Sequence, residues 1–258
     1  MPDYKLFKEE IFKLCGIDLN IYKERQIKGR IDALISRNKY SSYEEYLFYL
    51  ENNRDALEEL KNYITINISE FYRNPEQWEI LEKSVIPYLQ DTFADEIKIW
   101  CAGCSSGEEP YGLAMILAKF PCKDRIKIIA TDIDYNILSK AKEGIYSKKS
   151  IENVPEIYRN LYFRQLDDDT FEVKESIKSM VEFRRHDMVH GINIPGCNLI
   201  VCRNVVIYFN EEVVEEVYKR LYSSLKNGGV LFLGNTEQIF NYKEIGFEKL
   251  DSFFYKKG

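Results

Sequence analysis

The chain has 258 residues, 45% of them hydrophobic, which is enough for one large core or a core with a satellite domain and excludes extended disorder. With 36 Lys and Arg against 42 Asp and Glu, the formal charge of -6 provides no global basic field, so a nucleic-acid partner is disfavoured. Met1–Glu10 is charged and lacks the apolar run of a leader, and no stretch approaches the roughly 18 uncharged apolar residues of a membrane span. A cytoplasmic protein without membrane insertion is expected. The cysteines at 15, 101, 104, 122, 197 and 202 are scattered, so free thiols are expected. Cys101-x-x-Cys104 has no second pair at ligand spacing, and His186 and His190 are the only histidines, so no metal is expected.

From Leu6 to about Ile64 every apolar pattern has helical period. Leu6, Phe7, Ile11 and Leu14 form one stripe that ends at Gly16; Ile27, Ile31, Leu34 and Ile35 form a second. Tyr43, Tyr46, Leu47 and Leu50 form a third behind the capping candidates Ser41 and Ser42, and Ala56, Leu57, Leu60 and Ile64 a fourth. Such a bundle has a marginal core alone, so residues 1–66 are expected to dock, through a linker at 67–75, on an α/β domain at 76–258.

After Asn74-Pro75 a helix through Trp78, Leu81, Val85 and Ile86 is expected to end near Pro87. Strands at Ile97–Trp100 and Ile126–Thr131 then alternate with helices at Pro110–Lys119 and Tyr135–Lys142, which implies right-handed crossovers and a mostly parallel sheet. Residues 146–186 have a different texture. Tyr162-Phe163, Phe171–Val173 and Met180–Phe183 read as short strands of a small antiparallel insertion. Leu199–Cys202 is a buried strand, and Glu211–Lys226 an amphipathic helix capped by Asn210 and stopped by Asn227-Gly228-Gly229. Val230–Leu233 and Phe253–Tyr255 close the sheet, the last strand antiparallel.

The strongest local signal is Ile97–Pro110, in which a strand, a loop of Gly and small residues and a helix with Pro in its first turn let backbone N–H groups approach a nucleotide-like ligand. Gly103 and Gly107 stand in a Gly-x3-Gly spacing, unlike G-x-G-x-x-G, and a tight turn that needs Gly accounts for them as well. Asp132 follows the second strand 25 residues after Gly107, where a carboxylate can accept both ribose hydroxyls of an adenosine, although a helix-capping role also suits it. Arg203-Asn204 follows the third strand, at another position where open α/β sheets bind ligands; a salt bridge that stitches the loop is the plainer role for Arg203. Thr65–Asn74 joins the two parts and carries Asn67, Ser69 and Arg73, either as ligand contacts or as a hydrogen-bonded linker.

Five runs then stand together in order: Asn67-x-Ser-Glu-Phe-Tyr-Arg-Asn74; Cys101–Tyr111 with Ser-Ser-Gly-Glu-Glu-Pro-Tyr; Ala130-Thr-Asp-Ile-Asp134; Cys202-Arg-Asn-Val-Val-Ile-Tyr-Phe209; and Leu233-Gly-Asn-Thr-Glu-Gln238. Nearly the whole chain thereby resembles the bacterial chemotaxis receptor methyltransferases, the CheR family. The resemblance implies an α/β, Rossmann-like class I S-adenosylmethionine methyltransferase sheet with an N-terminal all-helical domain and a small antiparallel β insertion. It implies transfer of a methyl group from S-adenosylmethionine to glutamate side chains on the cytoplasmic helical bundle of chemoreceptors, with S-adenosylhomocysteine as product.

Carried over by position, the resemblance implies that Asn67, Ser69 and Arg73 contact the cofactor, with Gly103, Glu109 and Asp132 at its methionine and adenosine ends. It places His186 and Asp187 near the adenine and Arg203-Asn204 on the far wall. Ser69 stands where Thr is common, and His186-Asp187 replaces a common Leu-Asn, which weakens the adenine assignment. A carboxylate is already nucleophilic at neutral pH and a sulfonium is an activated electrophile, so in-line displacement needs alignment and dryness rather than a metal or strong base. Arg73 is expected to hold the incoming or the cofactor carboxylate and Tyr208 to border the transfer path; interdomain pairing and a core aromatic are their plainer roles.

Residues 20–40 hold six basic side chains, among them Lys23, Arg25, Lys28, Arg30 and Arg37, against Glu24 and Asp32. The resemblance makes this basic helix a docking face for an acidic receptor segment; an ordinary solvated face reads equally. The hairpin loop Arg164–Thr170 is short, acidic and without Gly, so the type that does not bind the receptor's C-terminal pentapeptide is expected. Nothing demands a dimer, and a monomer is expected. The alternatives are a methyltransferase of the same fold acting on another protein or acid, a non-catalytic adenosylmethionine sensor, and a nicotinamide dehydrogenase, the last opposed by its Gly spacing.

Overall fold

The computed structural model describes residues 4–121 and 125–258; Cys122 lies outside them. By its contacts the chain divides into two compact units, one of residues 1–67 with 208–214, the other of 68–207 with 215–258.

The first unit contains α1 (Tyr4–Cys15), α2 (Glu24–Arg37), α3 (Tyr43–Asn52) and α4 (Arg54–Thr65). Phe7, Ile11, Ile27, Ile31, Leu34, Tyr46, Leu50, Leu60 and Ile64 are its buried stripes. Ser42 caps α3 by accepting from Glu45 N, and Asn53 caps α4 by accepting from Ala56 N. Residues 208–214, expected in the α/β part, belong to this unit instead. Lys23 N donates to Tyr208 O at 3.0 Å and Asn210 N to Ile21 O at 2.9 Å, so backbone pairing, which side-chain pattern does not betray, holds them there.

The second unit begins with α5 (Pro75–Ile80), a π turn (Leu81–Val85) and α6 (Ile86–Thr92). The expected stop at Pro87 is corrected: the helix passes through it. Proline lacks the N–H and crowds the carbonyl four residues back, and the wider π turn just before it shifts the ladder where that conflict would fall.

Next come β1 (Ile97–Ala102), α7 (Glu108–Leu117), β2 (Ile126–Asp132), α8 (Tyr135–Glu143), β3 (Ile145–Ser147), α9 (Glu156–Tyr162), β4 (Phe163–Gln165), β5 (Thr170–Val173), α10 (Glu175–Lys178) and β6 (Val181–Arg185). They are followed by β7 (Cys197–Cys202), α11 (Glu211–Ser224), β8 (Leu225–Leu233), α12 (Tyr242–Ile245), β9 (Phe247–Asp251) and β10 (Phe254–Lys257). Among the described residues the main sheet has the order β6-β2-β1-β7-β8-β10-β9, parallel from β6 to β8 and closed by antiparallel β10 and β9. The strands β3-β5-β4 form the small antiparallel sheet.

Met180–Phe183, expected in the insertion, is corrected to the main sheet, where Val181 pairs with Ile128 in parallel. Val181 and Phe183 are buried while Glu182 and Arg184 are exposed, because an edge strand is covered on one face, and that alternation mimics a hairpin strand. The α11 helix also stops earlier than expected. Leu225 is drawn into pairing with Cys197, and Lys257 Nζ takes the freed carbonyls of Tyr222 and Leu225 at 3.0 and 2.9 Å.

Register sets the site. Ala102 pairs with Thr131, Cys101 with Val201 and Cys202 with Leu233, so the loops after β1, β2, β7 and β8 leave one edge together. Between β1 and β7 the strand order reverses, which is where open α/β sheets leave a crevice for ligands.

Candidate active site

The loop after β1 is fastened to β2 through its backbone. Gly103 N and Cys104 N both donate to Thr131 O, at 2.8 and 2.9 Å, and Ser105 N donates to Asp132 Oδ2 at 2.8 Å. Gly103 has φ +77°, and a Cβ there would stand 2.5 Å from Val205 Cγ2, so two loops meet where only glycine fits. Gly107, also left-handed, opens α7. Ser105 Oγ is buried without a partner, a polar atom left over for a ligand. Asp132 also accepts from Asp134 N at 3.0 Å, so it ties its own loop. Burial raises its carboxyl, opposed by the Asp134 and Ser105 N–H groups. The Cys101 and Cys104 thiols are free, buried and pushed up by that burial, and thus poor nucleophiles.

Glu109, in the first turn of α7, faces Arg203 from the loop after β7, with Arg203 Nη1 3.3 Å from Glu109 Oε2. Both Nη atoms of Arg203 are engaged by the protein, while its buried Nε has no partner among the described residues. Its Nη2 donates to Arg73 O at 2.7 Å, Gln77 Oε1 at 2.7 Å and Asn74 Oδ1 at 3.4 Å, while the guanidinium lies 4.7 Å from the Phe232 ring centroid. Glu109 keeps 13% exposure of its side chain against 2% for Arg203, so the carboxylate is the member of the pair a ligand can reach. Burial pushes Glu109 up to about 7, against the pull of Arg203.

Gly103, Asp132, Arg203 and Asn204 stand at the ends of β1, β2 and β7 with Glu109 in the first turn of α7, Arg73 and Ser69 fall in the same unit, and His186 and Asp187 lie just past β6. His186 N donates to Asp132 O at 2.9 Å, its Nε2 lies 2.9 Å from Ile192 O, and Nδ1 is buried without a partner. Asp187 Oδ1 accepts from Val189 N and His190 N, capping a turn. The Arg73 side chain makes no hydrogen bond or ion pair among the described residues, and its charge lowers Glu109. Asn67 and Tyr208 fall in the first unit.

Sequence reasoning passed over three contributors. Glu237, after β8, accepts from Asn204 N, Val205 N, Val206 N and Gly234 N; Gln77 and Asn74 hold Arg203. Gln77 left a signal as an amide on the stripe of Trp78 and Leu81. Glu237 stood within the Leu233–Gln238 run, but nothing there indicated its role, since its partners are backbone.

On the basic face, Lys28 pairs with Asp32 at 2.8 Å, Arg37 pairs with Glu59, and Arg30 donates to Tyr63 O at 3.1 and 2.6 Å, so these three also make contacts within the first unit. Lys23 and Arg25 are exposed at the start of α2, and Arg25 makes no such contact among the described residues.

A mostly parallel sheet with this strand order and a glycine-bearing loop at the reversal defines a class I S-adenosylmethionine methyltransferase. The chain belongs to the CheR methyltransferase family: the model of the CheR methyltransferase SAM binding domain matches residues 67–254, and that of the all-alpha domain residues 2–65. It is 39% identical to a chemotaxis protein methyltransferase of Listeria monocytogenes over 255 residues, covering 99% of this chain and 97% of the relative. Similar proteins named chemotaxis protein methyltransferase occur in Borreliella burgdorferi, 34% identical over 91% of this chain and 87% of the relative, and in Pseudomonas aeruginosa, 32% identical over 93% and 91%. The chain is an S-adenosylmethionine-dependent methyltransferase, and the dehydrogenase and sensor readings are not favoured. Among the described residues no helix is long and apolar enough to cross a membrane.

Proposed function

We propose that this protein methylates glutamate side chains on the cytoplasmic helical domain of chemoreceptors, forming γ-glutamyl methyl esters in chemotaxis adaptation. The observation that carries this reading is the pairing of a glycine-walled loop at the sheet reversal with a carboxylate that keeps an exposed edge, Glu109, and a cation without a hydrogen-bonded partner among the described residues, Arg73.

The residues present fit S-adenosylmethionine: the crevice that a Cβ at Gly103 would close, the orphaned Ser105 hydroxyl, and carboxylates at both ends. Bound there, the cofactor supplies a methyl group on a sulfonium, which a carboxylate attacks without a metal or strong base. Glu109 takes the amino group of the methionine end, braced by Arg203, and Asp132 takes the ribose hydroxyls. His186 and Asp187 border the adenine, and Asn204 lines the far wall. Arg73 orients the incoming glutamate carboxylate or the cofactor carboxylate. Ser69 serves the same site from the linker (67–75), which leads from a helical domain (1–66) into a methyltransferase domain (76–258).

Lys23 and Arg25 provide the exposed positive end of α2 for an acidic receptor segment. The hairpin turn between β4 and β5 holds Asp167, Asp168 and Asp169, which repel a carboxylate-ended peptide, so the pentapeptide-independent type is favoured. The enzyme works as a monomer in the cytoplasm. Isothermal titration with S-adenosylmethionine and S-adenosylhomocysteine tests the cofactor reading: no heat of binding for either ligand overturns it.

A further inference from the structure

The loop after β7 carries Arg203 and Asn204, and its conformation is unusual, with Asn204 left-handed at φ +60°. Left-handed geometry turns successive N–H groups toward one point, making a small anion cradle. Its occupant is a side chain of the same protein. Glu237, 2% exposed, accepts from Asn204 N at 2.6 Å and Gly234 N at 2.9 Å through Oε2, and from Val205 N at 2.8 Å and Val206 N at 3.1 Å through Oε1. Four donors occupy the four lone-pair positions of one carboxylate. The bonds fasten the loop after β7 to the loop after β8, and Gly234 is tightly enclosed, since a Cβ there would stand 2.7 Å from Glu237 Oε2. Val205, fixed by this clasp, is the residue that a Cβ on Gly103 would strike at 2.5 Å, so the clasp also sets how far the β7 loop stands from the β1 loop.

We propose that Glu237 is a positioning residue for cofactor binding: by chelating three successive N–H groups it holds Arg203, Asn204 and Val205 where they shape the crevice against Gly103 and Glu109. The proposal rests on the reading that the loops after β1 and β7 hold the cofactor. Glutamine at 237 is nearly the same shape but turns an amide N–H toward backbone donors, whereas aspartate keeps the charge and shortens the reach.

The test compares wild type with Glu237→Gln, Glu237→Asp and Gly234→Ala. It measures S-adenosylhomocysteine affinity, KM for receptor, melting temperature, and amide hydrogen exchange at 204–206 and 234. Glu237→Gln should weaken S-adenosylhomocysteine binding by about tenfold or more while the receptor KM is unmoved. Exchange at those amides should quicken, and Glu237→Asp should recover part of the affinity. A folded Glu237→Gln protein with wild-type affinity overturns the proposal, as does an equal loss of affinity in the Asp and Gln variants. If Glu237→Gln does not fold, Glu237→Asp and Gly234→Ala are read in the same way, and failure of all three to fold counts against a positioning role. Wild type that binds no S-adenosylhomocysteine overturns the underlying cofactor placement, and the proposal with it. Wild-type binding beside an unaffected folded variant overturns the proposal alone.

Discussion

Arg203 Nη1 stands 3.3 Å from Glu109 Oε2 across the sheet reversal, joining the loop after β7 to the first turn of α7. The pair is asymmetric. Arg203 is anchored on Arg73 O and Gln77, while Glu109 keeps an exposed edge. Its carboxyl, raised from 4.5 to about 7, costs the native state stability as pH climbs through that window, because the unfolded chain ionises first. Removing the arginine raises the native value further and extends the loss above pH 7. Arg203→Met should therefore lose about 3–5 kcal/mol of stability at pH 8 and distinctly less at pH 5. Urea unfolding at the two pH values checks this, and an equal loss at both contradicts it.

Cofactor binding should release protons near neutral pH. If Glu109 holds an ammonium group, its charged form binds, so affinity for S-adenosylhomocysteine should rise from pH 6 to pH 8 and level off above. Titration in buffers of different ionisation enthalpy counts the released proton. Glu109→Gln should abolish that release.

Arg73→Ala separates chemistry from folding. The guanidinium makes no hydrogen bond or ion pair among the described residues, so its removal should leave the melting temperature unchanged while transfer falls about a hundredfold. A matching fall in melting temperature would assign Arg73 to structure.

On α2, charge reversal at Arg30 or Arg37 would break contacts with Tyr63 or Glu59 and damage the helical unit. Arg25→Glu avoids that. It should slow association with receptor at low salt, with the difference shrinking as salt rises and cofactor affinity unchanged. Stopped-flow association at two ionic strengths is the measurement.

The loops after β1, β2 and β7 were legible in the sequence because each follows an apolar run that could only be a buried strand, and polar groups stand at its end. Helical stripes were legible for the same reason of period. What escaped were features made by backbone or partner choice. Pro87 passes inside a helix because the π turn relieves it, Val181–Arg185 looks like a hairpin strand because an edge strand alternates, and residues 208–214 join the helical unit through main-chain bonds. Arg203 could be identified at a strand end, but its commitment to Gln77, Asn74 and Arg73 O depends on segments some 126 residues away. Glu237 acts only on N–H groups, which every sequence has everywhere.

Esterification of receptor glutamates is measured directly by incubation with radiolabelled S-adenosylmethionine and membranes containing chemoreceptors, followed by mild alkali. Label in the receptor band that alkali releases as methanol is the predicted result, because a glutamyl methyl ester hydrolyses there. Label that survives alkali, or cofactor binding with no label on receptor, would contradict it.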